Sequence, residues 1–215
     1  MVYTISKLII PPILKLWLRR VEGIENIPKK GRFIIAANHS SYYETLLIPS
    51  IIVPEINKRM HAFVDSTYWN MFITRFFLDM WGGIPVLVNK EKDSKEKNKA
   101  AFEIASNYLR AGHVMMIFPE GGRSSDGKLK KGYNGTAKLA LASKTPVLPI
   151  GVIGANEVLP KGKVFPRFKR CEVKIGKPIY FEKYYNKKIS KKLLDYITTQ
   201  IMKQIAKLIS QEYTY

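Results

Sequence analysis

One cysteine, three histidines and only 17 acidic residues against 36 lysines and arginines set the first limits on this 215-residue chain. The lone Cys171 excludes an internal disulfide framework and any thiolate zinc cluster, which makes a reducing compartment the default. His61, His113 and Cys171 are too few and too scattered for a metal centre, so they read as structural and no metal is expected. Neither the Gly-x-Ser-x-Gly elbow of serine hydrolases nor His-Glu-x-x-His is present. Internal repeats, low-complexity stretches and interdomain linkers are also missing.

Long apolar runs are short as well. The densest, Ile5 to Leu18, is interrupted by Lys7, Pro11, Pro12 and Lys15 and stops at Arg19 and Arg20. A spanning helix needs roughly 20 apolar residues. No small-residue cleavage site follows, and the arginine pair comes after the run, so neither a removed signal peptide nor a twin-arginine export signal is expected. Two readings stand: an interfacial anchor lying on a membrane, or a core helix broken at Pro11 and Pro12. The anchor is carried forward, with residues 1–20, Trp17 among them, as a membrane-associating helical segment and residues 21–215 as a single α/β domain.

What is present is a foldable chain, 46% hydrophobic and 25% charged, with a net charge of +19 that favours polyanions or anionic membrane surfaces. Short apolar runs predict strands in "GRFIIAANH", "MHAFVD", "IPVLVN", "HVMMIFP" and "PVLPIGVIG", with an antiparallel edge strand in "RCEVKIGKPI". Ala101, Ile104, Ala105, Tyr108 and Leu109 recur at helical spacing, and Gly112 supplies a stop. Strand, helix, strand is a βαβ unit, which implies parallel pairing. A small-residue helix follows in "NGTAKLALAS", and a last helix from about Ser190 carries an apolar stripe of Leu194, Ile197, Ile201, Ile205 and Leu208, read as core. The expected fold is α/β, with a mixed, largely parallel sheet flanked by helices.

The stretch "STYWNMFITRFFLDMWGG" is too aromatic for ordinary surface. It is either a buried helix or an acyl- or membrane-contacting face, and the second is preferred, with Trp69, Phe72, Phe76, Phe77 and Trp81 as the contacts.

Two constellations can carry chemistry. In "NHSSYYE", Ser41 and Glu44 fit a capping box at the start of a helix. His39 is left unexplained by that box. It stands where a strand gives way to a helix, a common place for a general base whose other ring nitrogen is held by a carboxylate. In "FPEGGRSSDGKLKKG", adjacent glycines open backbone amides to an anion, Arg123 offers a planar fork for phosphate, and three lysines gather nearby. "GRSSDGKL" imitates a P-loop, but Leu129 replaces the required hydroxyl residue and no helix follows, so nucleotide hydrolysis is rejected. The tip around Asp126 and Gly127 reads as a solvated turn.

Together "NHSSYYE" and "FPEGGRS", about 80 residues apart with a βαβ unit between them, resemble the glycerophospholipid acyltransferases typified by 1-acylglycerol-3-phosphate acyltransferase. That family carries a histidine, four residues, then aspartate, and later Phe-Pro-Glu-Gly-Thr-Arg-Ser. "GGIPVLVNK" sits where the family has its acceptor motif, and "VLPIGVIG" and "VKIGKPI" are similar to its later strands, so the resemblance spans roughly residues 20 to 180. Here Glu44 replaces the aspartate and Gly122 the threonine, and Lys90 is the nearest charge to the arginine that ends the acceptor motif.

The resemblance implies transfer of an acyl group from acyl-CoA or acyl-carrier protein to the hydroxyl of a lysophospholipid, 1-acyl-sn-glycerol-3-phosphate first. His39 would be the base and Glu44 its orienting acid. Glu120, Gly121, Gly122, Arg123, Ser124 and Lys90 would form the phosphate site, with Glu120 paired to Arg123. No cofactor is implied beyond the donor. The expected location is peripheral or monotopic, on the cytoplasmic face of an anionic membrane. The charge alone also fits a nucleic-acid-binding module, although the aromatics do not alternate with basic residues as a stacking platform needs. A catalytically impaired, lipid-binding relative is the third reading.

Overall fold

The computed structural model describes residues 13–87 and 94–215; Lys90 and the first 12 residues of the expected anchor lie outside the described residues. Its strands are β1 (Leu18–Glu22), β2 (Ile34–Ala37), β3 (Met60–Asp65), β4 (Gly83–Val86), β5 (Val114–Ile117), β6 (Val147–Ile153) and β7 (Cys171–Ile175). The helices are α1 (Tyr43–Ile56), α2 (Phe72–Trp81), α3 (Ser94–Arg110), α4 (Gly135–Ser143), α5 (Ala155–Val158) and α6 (Lys191–Leu208).

The strands form one sheet in the order β1-β7-β6-β2-β5-β3-β4. Every residue of β2 and β5 is buried, as strands covered on both faces require. All neighbours pair parallel except β6 with β7. The mixed, largely parallel sheet is therefore as expected, with one correction: β7 is antiparallel but is not the edge. β1 lies outside it, with Leu18 opposite Cys171 and Val21 opposite Val173. Arg20 pairs with Glu172 at 2.9 Å, so a charged edge strand holds its place through ions as well as backbone bonds.

This also corrects the expected division at residue 20, because Arg19 and Arg20 belong to a strand of the sheet. Trp17 just before it is half-buried, packs against the core and meets the Tyr43 ring edge-on at 6.4 Å, so part of its surface is committed to packing. Among the described residues no helix is long and apolar enough to cross a membrane.

Alternate residues of each strand feed two apolar layers. Ile35, Ala37, Met116, Leu148 and Ile150 face α1 and α5, whereas Ile34, Ala36, Met115, Ile117 and Val147 face α3, α4 and α6. The stripe read on α6 is core, with Ile197, Ile201 and Ile205 fully buried. Because β2 leads into α1 on one face and β5 leads into α4 on the other, these adjacent strands diverge at their carboxyl ends. That divergence makes a topological switch point, where sheets of this type place their ligands.

Candidate active site

His39 follows β2 by two residues and Glu120 follows β5 by three, so both sit at this switch point. Glu44 is the second residue of α1 and is completely buried. From there it reaches back over the helix start and accepts four donors. These are the Ser40 amide at 2.9 Å, the Ser40 hydroxyl at 2.6 Å, the Ser41 amide at 3.1 Å and His39 Nδ1–H at 2.8 Å. An ionised carboxylate, which only accepts, suits that set.

The capping box is thus half realised. Glu44 reaches back as expected, while the Ser41 hydroxyl accepts the Tyr43 amide at 3.1 Å and donates to the Leu159 carbonyl at 2.7 Å. One glutamate serves both the helix start and the imidazole. The imidazole is further fixed by stacking on Phe118 at 3.9 Å and 13°. With Nδ1 held as the donor, Nε2 is the ring atom left to accept a proton, and it makes no hydrogen bond among the described residues. The side chain is 11% exposed, enough for access from one direction.

Asn38 squares the end of β2 against β6 like an extra rung: its amide donates to the Val152 carbonyl at 2.8 Å and accepts the Val152 amide at 2.7 Å. The chain then meets the loop after β5. The Ser124 amide donates to the His39 carbonyl at 2.7 Å, and the His39 amide donates to Glu120 at 2.7 Å.

Glu120 departs from expectation. It is buried, and its second oxygen accepts the Lys130 amide at 2.8 Å, so it joins three backbone segments and forms no ion pair with Arg123. It cannot serve as a phosphate ligand. Burial pushes its carboxyl up to about 7, against the two amides and the Lys130 ammonium, which pull it down. Ser124 is likewise buried and acts through its amide.

The anion-accepting part of the loop is narrower than the sequence implied. Gly121 has φ +66, a conformation open to glycine, and a Cβ there would meet the Tyr133 ring at 3.0 Å; its amide is already committed to the Phe118 carbonyl. The amides of Gly122 and Arg123 are unclaimed among the described residues. A Cβ on Gly122 would have only Lys130 Nζ nearby, at 3.9 Å. The Arg123 guanidinium lies 3.4 Å over the Tyr42 ring and has no carboxylate partner among the described residues, so its donor edge is free for a ligand. Lys130 Nζ donates to the Arg123 carbonyl at 3.2 Å, which adds a second cation beside the first.

Tyr42 and Lys130 were not singled out from sequence. Tyr42 lies inside "NHSSYYE", three residues after the histidine, and Lys130 is one of the lysines of the basic loop, so both were in view without a signal that separated them. The P-loop imitation is settled by position, because Leu129 is buried in the core and its amide donates to Gln211.

On the far flank, the aromatic stretch divides. A short 3-10 turn, Ser66–Asn70, sets the Tyr68 hydroxyl against that of Tyr42, and α2 follows. Phe72, Phe76 and Phe77 are exposed, so the buried-helix reading fails for them. Trp69 and Trp81 are half-buried; Trp69 Nε1–H donates to Asp79 at 2.8 Å and Trp81 packs on Phe77, which makes them inner supports of that face. His61 and His113 are structural as expected: His61 bonds His113 at 2.9 Å and the Gly82 carbonyl at 3.1 Å and stacks on Tyr108. No group of residues that could hold a metal ion occurs among the described residues.

A histidine held by a buried carboxylate thus stands beside a loop with unclaimed amides and two cations, at the switch point of an α/β sheet. A family model described as Acyltransferase matches residues 18–153, more than half of the chain, and the chain belongs to that family. The 1-acyl-sn-glycerol-3-phosphate acyltransferase of Borreliella burgdorferi is 28% identical over 158 residues, which cover 71% of this chain and 59% of the relative. Its namesake in Pseudomonas aeruginosa is 28% identical over 145 residues, covering 63% of this chain and 52% of that one. The chain spans about half the length of the curated relatives it matches. The crystal structure of the 1-acyl-sn-glycerophosphate acyltransferase PlsC from Thermotoga maritima shares the fold, with a TM-score of 0.69 at 23% identity over 97% of this chain and 83% of that one.

Proposed function

We propose that this chain transfers a fatty acyl group from acyl-CoA or acyl-carrier protein to the free hydroxyl of 1-acyl-sn-glycerol-3-phosphate, giving phosphatidic acid. The observation that carries the reading is the His39–Glu44 pair, with Nδ1 held at 2.8 Å and Nε2 left to accept a proton. Nε2 takes the hydroxyl proton as the oxygen attacks the thioester carbonyl. The resulting imidazolium is stabilised by Glu44, the tetrahedral intermediate collapses, and the proton passes from Nε2 to the departing thiolate. The ester forms, the thioester breaks, and no covalent enzyme intermediate is needed. The Arg123 guanidinium, the Gly122 and Arg123 amides and Lys130 hold the acceptor phosphate.

The chain works at the cytoplasmic face of an anionic membrane, where its net charge of +19 and the exposed phenylalanines of α2 both favour attachment. The test is thiol release from acyl-CoA, and separately from acyl-carrier protein, over a panel of lysophospholipid acceptors. Turnover that requires a phosphomonoester head group supports the assignment, and turnover with no acceptor preference, or none at all, removes it.

A further inference from the structure

Between α5 and β7 the chain runs Lys-Gly-Lys-Val-Phe-Pro-Arg-Phe-Lys-Arg, residues 161–170, and every one of them is exposed. Val164 is 83% exposed, Phe165 85% and Phe168 fully so. Five of the ten side chains are basic, none is acidic, and no acid occurs between Glu157 and Glu172. The five cations make no ion pair among the described residues. The backbone is nevertheless shaped: Lys163 N–H donates to the Pro160 carbonyl at 3.0 Å, Arg167 N–H to the Val158 carbonyl at 2.7 Å and Lys169 N–H to the Arg167 carbonyl at 2.7 Å.

We propose that the exposed loop 161–170, with Phe165 and Phe168 at its surface amid five cations, inserts into anionic lipid bilayers and seats the His39 site on the membrane. A solvated basic loop gains nothing from two presented phenyl rings, and a site for an acidic protein would need the cations without them. A bilayer uses both, since the rings enter the headgroup–acyl boundary while lysine and arginine meet anionic headgroups. Topology places the loop where it is useful. It joins the carboxyl end of β6 to the start of antiparallel β7, so it leaves the same sheet edge as His39. Its root touches the site directly, because the Leu159 carbonyl accepts the hydroxyl of Ser41, whose amide in turn donates to Glu44. α2, with Phe72 and Phe76, begins from the carboxyl end of β3 on the other flank. The loop rests on the lipid-substrate reading for its purpose, but bilayer binding is measured without turnover, so the two can fail separately.

The experiment uses the full chain and vesicles of phosphatidylcholine with or without about one-third phosphatidylglycerol. Phe165→Ser with Phe168→Ser should lower the partition coefficient on anionic vesicles at least about tenfold, and high salt should weaken binding of the unaltered protein. A Phe168→Trp variant should show fluorescence quenched by brominated lipid beyond that of the unaltered protein, which reads this loop directly even where α2 also binds. His39→Ala should keep full vesicle binding while turnover is lost. Unchanged partition of the serine variant together with no added quenching overturns the proposal. Loss of vesicle binding only when the cations are replaced, with the phenylalanines neutral, overturns insertion in favour of purely electrostatic attachment to the headgroups.

Discussion

The amide of Ser124 donates to the carbonyl of His39 across 2.7 Å, so the end of β2 and the Gly-Gly-Arg corner after β5 are held as one unit. The Glu120 carboxylate closes the same joint by accepting the His39 amide. The proposed base and the proposed anion cradle therefore keep their spacing through backbone groups and Glu120.

Removing the base tests the chemistry first. His39→Ala should reduce acyl transfer by about 10² to 10⁴, the usual contribution of a positioned general base. The fold should survive, because the residue's structural bonds are made by its backbone. Thiol release and a urea unfolding midpoint, read side by side, separate the two. A variant that keeps most of its turnover excludes His39 as the base.

The length of Glu44 is tested by shortening it. Aspartate stands at this position in the family pattern, yet here four donors are arranged around a glutamate, so Glu44→Asp should lower turnover by about tenfold. Glu44→Gln sets an NH₂ group among donors and should cost about 1–3 kcal/mol of stability as well as turnover. Turnover of the aspartate variant above that of the unaltered protein would show that the glutamate is a poor fit.

In the proposed phosphate site Arg123 would supply a planar fork and Lys130 a point charge. Arg123→Lys should raise the acceptor KM about tenfold with a smaller change in kcat, since a lysine cannot present the same paired donors over Tyr42. Lys130→Met should also raise KM, and by less. Steady-state kinetics over a range of acceptor concentrations give the split, and an effect on kcat alone would place these residues away from the phosphate.

Much of this was legible because it is local. β3 falls on Met60–Asp65 as its apolar run predicts, α3 stops before Gly112, and the histidine and glutamate of "NHSSYYE" meet because five residues across a strand–helix turn bring them together. What was hidden depends on distant partners. β1 carries Arg19, Arg20 and Glu22 and has no apolar signature; it is a strand because β7, about 150 residues later, supplies its backbone partners and Glu172 its counter-ion. Glu120 reads from sequence as the natural partner of Arg123, but folding delivers two buried amides to it, one from residue 39, and those fix its role. α1 continues through Pro49 and Pro54, residues that sequence alone would take as breaks, because its burial against the sheet holds it.

The Glu120 carboxyl, raised to about 7 by burial, sets a pH dependence of known sign. Its folded value lies above the ordinary 4.5, so the folded protein binds the proton more tightly than the unfolded chain. That contribution is fully present below the ordinary value and is lost as pH rises through about 7. Relative to Glu120→Gln, the unaltered protein should therefore lose roughly 3 kcal/mol of stability between those limits. Urea unfolding of both proteins across that range measures it, and an unaltered protein that gains stability relative to the variant as pH rises would show that the amides outweigh the burial.

Gly82 tests whether the flank of the site depends on the histidine pair. It closes α2 at φ +76, and a Cβ there would lie 2.4 Å from His61 Nδ1, the atom that donates to the Gly82 carbonyl. His61 is itself buried, stacked on Tyr108 and bonded to His113, so it has little room to retreat. Gly82→Ala should therefore destabilise the protein by roughly 2–4 kcal/mol, from the left-handed backbone together with the displaced ring. Burial also lowers the pKa of His61, so the neutral ring is the one that fits, and its contribution is present above the ordinary histidine value and lost as pH falls below the ordinary 6.5. His61→Gln should remove part of that acid sensitivity while leaving the His39–Glu44 pair in place, because His61 lies within β3 and His39 in the turn that follows β2. An alanine variant as stable as the unaltered protein would mean that the ring can move aside and that the pair does not brace α2.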